Sequence, residues 1–302
     1  MRTLHIIKNA VINAIRDVDK NHTMAFAAAL SYYFVLSLFP LLIFLSAVVG
    51  YLPIPGLFDH ILGVLARVVP SDSMGLVRKI VSEIILSQHG GLLTFGIIFT
   101  IWSASSGFSG MIEALNVAYD VPETRPYWRT RLLAIVLTFL IGSLLIVALG
   151  VLVVGPQFGA WLAGKVHLGP VFVAVWPFVR WGISIVFTVV AVESLYFIAP
   201  NVRQKFLLTL PGALIAVAGW IGLSHLLGIY FRQFAHYNKT YGALGAAIAL
   251  SVWFYWTSLV MLLGAEFNSE LLQEVGEGRL PLKQPPPESV TPKRATEADL
   301  AA

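Results

Sequence analysis

Six long apolar runs dominate this chain, at residues 25–51, 92–118, 132–155, 179–199, 206–231 and 242–267. Each reaches or exceeds the roughly 20 residues that a helix needs to cross the hydrocarbon core of a bilayer. In lipid the backbone N–H and C=O groups have no water to bond, so an apolar run of this length satisfies them internally, as a helix. The fold class expected is therefore an all-α integral membrane protein with six transmembrane helices. Composition points the same way. Hydrophobic residues make up 57% of the chain and charged ones 12%, against roughly 25% charged in soluble domains. Such a chain cannot cover its exterior with polar groups in water.

The segments around the runs divide the chain into parts. Residues 1–24 place Leu4, Ile7, Val11, Ile15 and Val18 on one helical face, which predicts an amphipathic cytoplasmic N-terminus on the membrane surface or packed on the ends of the bundle. Residues 25–275 form the transmembrane domain. Within it, residues 57–88 carry two stretches with helical apolar spacing, parted at Pro70-Ser71, each too short to span. They predict two amphipathic helices on the periplasmic side, between spans one and two. Residues 276–302, rich in Pro, Glu and Lys, predict a disordered cytoplasmic tail. The first run far exceeds the roughly 7–15 apolar residues of a cleaved signal, so it reads as a retained span.

Basic residues orient the bundle. Arg2, Lys8, Arg16 and Lys20 precede the first run, Arg125, Arg129 and Arg131 follow the second, and Arg203 and Lys205 follow the fourth. With Arg279, Lys283, Lys293 and Arg294 in the tail, the larger share of the 20 Lys and Arg lies on the N-terminal side of the membrane. The positive-inside rule then puts both termini in the cytoplasm. The net charge of +4 belongs to these loops and is not a nucleic-acid footprint.

Several chemistries are absent from the sequence. With no cysteine there is no disulfide, thiolate metal site or cysteine nucleophile. The histidines form no metal-binding motif, and no phosphate or dinucleotide fingerprint occurs. Gly107-Phe108-Ser109-Gly110 lacks the spacing and context of a nucleophile elbow. No catalytic residue, metal ligand or cofactor is assigned, and the chain reads as a non-enzyme.

Polar residues inside the runs are the informative exceptions, since an ionisable group at mid-membrane costs about 2.5–3.5 kcal/mol on insertion scales. Three acids qualify: Glu113, Glu193 and Glu266. In the expected topology all three fall in the cytoplasmic half. Trp102, Ser106, Ser109, Glu113 and Asn116 step by four and three along span two, so they share one face, expected to look into the bundle or a hydrated cleft. With Glu193, Glu266 and Asn268 they form the candidate substrate or polar-cleft set, and Arg125, Arg129, Arg131, Arg203 and Lys205, together with Asn116 and Asn268, are the expected partners of the acids. Pro40 removes a backbone hydrogen bond in span one, so a kink is expected there. His225 is expected to be a packed core histidine.

Four stretches carry a family resemblance. Ala27-Ala28-Ala29-Leu30-Ser31-Tyr32-Tyr33 with Leu38-Phe39-Pro40 comes first, then Trp102-Ser103 with Ala114-Leu115-Asn116-Val117-Ala118-Tyr119. Tyr241-Gly242-Ala243-Leu244-Gly245 and Leu263-Gly264-Ala265-Glu266-Phe267-Asn268 follow. Together they resemble the YihY/BrkB family of bacterial inner-membrane proteins, formerly labelled ribonuclease BN. The resemblance implies a six-span inner-membrane protein tied to envelope integrity and, in some branches, to lipid or lipopolysaccharide export. It supplies no agreed active site.

Two functions are expected from these readings. The first is transport or translocation of a lipid or lipid-linked substrate in support of envelope integrity. The second is a non-transporting envelope scaffold that binds protein partners. Neither involves nucleic acid.

Overall fold

The computed structural model describes residues 2–51, 90–166, 170–233 and 238–275, and the described residues are helical apart from short connections. Seven helices are described: α1 (Arg2–Lys20), α2 (Thr23–Tyr51), α3 (Gly90–Ala118), α4 (Tyr127–Val166), α5 (Pro170–Ile198), α6 (Phe206–Gln233) and α7 (Asn238–Val275). Four are long and apolar enough to cross a membrane, over Tyr127–Leu152, Val171–Ile198, Phe206–Tyr230 and Ala247–Val275. The first two apolar runs fall in α2 and α3, of 29 residues each. The expected helices of 57–88 and the tail 276–302 lie outside the described residues, and Pro40 falls within the helix α2.

The helices outrun the apolar stretches that mark them. At 40 residues α4 is about 60 Å long, twice the roughly 30 Å of a hydrocarbon core, and it continues for 14 residues past Leu152, where its candidate span ends. α5 likewise starts at Pro170, nine residues before the run expected from sequence. Hydropathy reports where lipid lies, whereas a helix continues until a cap or a break stops it.

Neighbours in sequence are neighbours in space. α2 packs on α3, α3 on α4, α4 on α5, α5 on α6, α6 on α7, and α7 returns to α2, which closes a ring. α1 lies against α7. Its Ala10 and Ala14 are buried on Phe267, with Leu271 beside them, because small side chains let the two helices approach. The adjoining apolar face, Ile7, Val11 and Ile15, stays exposed.

The dense core sits at one end of this ring. It is built from Ala27 and Leu30 of α2, Met111 to Ala118 of α3, Ala134 to Ile141 of α4, Ala191 to Tyr196 of α5, Ala213 to Val217 of α6 and Leu259 to Leu272 of α7. Since the helices alternate in direction, these are all the same end. It is the end at which α1 arrives and the α3–α4 and α5–α6 connections meet.

Candidate functional site

The polar residues of the spans gather at that sealed end. α1 stops at Lys20, and His22 turns the chain with φ 51°, so Asn21 and Thr23 stand between two helices. Both are buried. Asn21 Nδ2 donates to the two carboxylate oxygens of Glu266 at 3.0 and 3.1 Å, and Thr23 Oγ1 donates to Oε1 at 3.1 Å. Glu266 thus fastens the α1–α2 turn to α7. The crevice beside it, lined by Ala114, Ala118 and Leu262 among others, is too narrow for water.

Two residues along α7, Asn268 bridges the backbone of α6 beside Pro211. Its Oδ1 accepts from Gly212 N–H at 2.8 Å and its Nδ2 donates to Thr209 O at 2.7 Å. This needs a close crossing, which glycine provides. A Cβ on Gly212 would lie 2.2 Å from Gly264 O, and one on Gly264 would lie 2.6 Å from the Tyr196 hydroxyl. That hydroxyl donates to Met261 O.

Glu193 of α5 completes the layer. The Thr209 hydroxyl donates to its Oε1, while its Oε2 is buried without a hydrogen-bond partner. The Tyr119 hydroxyl is in the same condition. It approaches the Asn268 side chain, which has one Nδ2 proton beyond the one given to Thr209 O. The Glu193 Oε2 atom therefore keeps bonding capacity to spare inside this layer.

Connections seal the rim. α3 ends in a Schellman motif, with Val121 N–H on Asn116 O and Asp120 N–H on Val117 O, both 2.9 Å, and Asp120 in the left-handed region at φ 53°. Asn116 then ties two connections together. Its Nδ2 donates to Glu123 Oε2 at 2.9 Å, and its Oδ1 accepts from Asn201 N–H at 2.8 Å. Arg125 grips Glu123 through two nitrogens and reaches Ala199 O. Burial would raise the Glu123 carboxyl, but the Arg125 hydrogen bonds and charge, helped by Asn116, hold it below its usual value. Lys20 meets Asp120 at 3.0 Å. That hydrogen bond raises the Lys20 ammonium above its usual value.

The α3 stripe departs from expectation. Trp102 and Glu113 are exposed and Ser106 and Ser109 half-buried on the face toward α4, so of the stripe only Asn116 is buried. Arg131 covers its middle. Its Nη1 donates to Ser106 and Ser109 at 3.2 and 3.3 Å and its Nη2 to Trp102 O at 2.8 Å, while the guanidinium stacks 4.1 Å from the Trp102 ring. Shared periodicity placed these residues on one face, but the neighbour that face meets is a long-range fact. The expected arginine partners of the acids also need correcting. Glu266 and Glu193 are held by neutral Asn and Thr donors, while of the expected arginines Arg125 serves Glu123, Arg131 the stripe and Arg129 the Trp128 ring. His225 is exposed rather than packed.

Sequence reasoning overlooked Asn21, Thr23, Tyr119, Tyr196, Thr209 and the Gly212–Gly264 crossing. Tyr119 and Gly264 stood inside the quoted motifs, and those motifs converge here: Ala27, Leu30, Ala114, Leu115, Asn116, Tyr119, Ala265, Glu266 and Asn268 are all buried in this layer and its core. Among the described residues no group of three or more His, Cys, Asp or Glu is placed to hold a metal ion.

Known proteins resemble the chain over most of its length. The family model for virulence factor BrkB matches residues 14–288. The ribonuclease-like protein YfkH of Bacillus subtilis is 40% identical over 81% of this chain and 88% of its own. A UPF0761 membrane protein of Vibrio campbellii is 28% identical over 81% of this chain and 76% of its own, and one of Alkalilimnicola ehrlichii is 29% identical over 81% and 54%. No solved structure matches.

Proposed function

The chain belongs to the virulence factor BrkB family of membrane proteins, and from that premise we propose that it is a six-span bacterial inner-membrane protein which translocates a lipid or lipid-linked substrate and so supports envelope integrity. Both termini lie in the cytoplasm in this reading, since the sealed end carries Arg125, Arg129, Arg131, Arg203 and Lys205. It assigns no catalytic residue. The word ribonuclease belongs to the name of the Bacillus relative.

One observation carries the proposal. Glu193 and Glu266 are buried in a layer that closes a ring of helices, and one Glu193 oxygen keeps its hydrogen-bonding capacity unused. A layer serving only to pack helices gains nothing from a costly acid with an idle oxygen. A gate that must part for a polar headgroup does. A scaffold reading has its own support, because Glu266 and Asn268 commit their hydrogen bonds to holding α1, α2 and α6 together.

Glu193→Gln and Glu113→Gln separate the two readings. The account expects both variants to reach the membrane, Glu113→Gln to unfold at the wild-type temperature because the side chain is exposed, and neither to restore detergent resistance to cells lacking the protein. Full complementation by both would remove the carboxylates from the function.

A further inference from the structure

At the end of α4 and α5 away from the sealed layer lies a cavity of about 210 Å³, lined by Pro156, Gly159, Phe172, Trp176, Pro177 and Arg180. Arg180 sits well inside the candidate span Val171–Ile198. Among the described residues it is the only Lys or Arg lying far from either end of such a span. A cation so placed is costly and calls for a reason.

Part of the reason is local. Pro156 has no N–H, so Leu152 O on the preceding turn loses its helical donor. Arg180 Nη1 supplies one at 3.1 Å, and Trp176 Nε1 donates to Gly155 O at 2.7 Å. Gly159 makes room for the indole, since a Cβ there would lie 2.2 Å from the Trp176 ring. Phe172 stacks on Trp176 at 5.4 Å between centroids. These contacts hold the guanidinium at the cavity wall without exhausting it. A guanidinium has five N–H donors, and Arg180 Nε–H is buried with no partner. Among the described residues no ion pair neutralises Arg180.

We propose that this cavity binds the phosphate of an anionic phospholipid, with Arg180 as its counter-charge. Size sets the occupant. Sites for whole drug-sized ligands run to about 300–1,000 Å³, so about 210 Å³ suits a headgroup and leaves the acyl chains outside. Val171, Val175 and Phe178 are exposed beside it and offer those chains an apolar track. Arginine matches a phosphate through paired N–H donors, and an aromatic wall beside it is the setting found at membrane interfaces. The site stands apart from the sealed layer, and its test does not depend on translocation.

Native mass spectrometry of the purified, delipidated protein titrated with phosphatidylglycerol tests it. Wild type is expected to bind phosphatidylglycerol more tightly than phosphatidylcholine. Arg180→Gln should weaken that binding by about tenfold, the scale of a lost charge-assisted contact. Val173 also lines the cavity, and Val173→Phe should block it while leaving the Arg180–Leu152 bond intact, which covers the case that Arg180→Gln fails to fold. Equal affinity of wild type and Val173→Phe for phosphatidylglycerol would overturn the proposal, as would equal affinity for phosphatidylcholine. Displacement of the lipid by millimolar inorganic phosphate would replace a lipid site with a free-anion site and overturn it too.

Discussion

Single residues in this protein answer to neighbours that the sequence does not name. Gly264 is the clearest case. Because its missing Cβ leaves room for Tyr196 and Gly212, Gly264→Ala should push α6 and α7 apart at a cost of about 1–3 kcal/mol. Gly142, with nothing within 4 Å, is the matched control: Gly142→Ala should leave the melting temperature in detergent unchanged or raise it. Equal losses in both would remove the crossing from the account. Glu266 is a second case. Glu266→Ala leaves the Asn21 amide and the Thr23 hydroxyl buried without their acceptor, which predicts a loss of about 1–3 kcal/mol in unfolding experiments. The importance of Glu193, Glu266 and Asn268 was legible in the sequence, because a polar group inside an apolar run is conspicuous. Their partners were not. An acid in a span suggests a basic partner, yet the donors are neutral side chains from helices distant in sequence.

Elements were easier to read than their ends. Each described apolar run lies within a helix, save that the fourth overruns α5 by Ala199, and the α1 amphipathic pattern appears as a helix with one face on α7 and a second exposed. Boundaries misled because apolarity stops before helicity does, which placed Arg180 at the edge of span four although α5 begins ten residues earlier. The connections were illegible for another reason: the Asn116–Glu123–Arg125–Asn201 clasp joins two loops through hydrogen bonds that leave no periodic trace. That clasp makes a pH prediction. The folded Glu123 carboxyl lies below its usual value of 4.5, so its stabilisation is present in full above about pH 4.5 and is lost as pH falls through the lower folded value. The stability difference between wild type and Glu123→Gln should hold steady from neutral pH down to that point and shrink below it. A difference that grows on acidification would show the sign to be wrong.

At the scale of the molecule, the account is a ring of helices sealed at one end by a polar layer, with that end in the cytoplasm. The absence of native cysteine makes the topology directly measurable. Single cysteines at Arg129 and Lys205 should resist a membrane-impermeant maleimide in intact cells, and cysteines at Lys165 and Lys239 should react. The central claim is that the sealed layer parts to let a lipid through. Its most direct test is purified protein in vesicles carrying a fluorescent phospholipid, with dithionite added outside. The account predicts that wild-type protein lets dithionite bleach lipid beyond the outer-leaflet share and that Glu193→Gln, equally folded, does so more slowly. Bleaching by wild-type vesicles that stops where protein-free vesicles stop would contradict it.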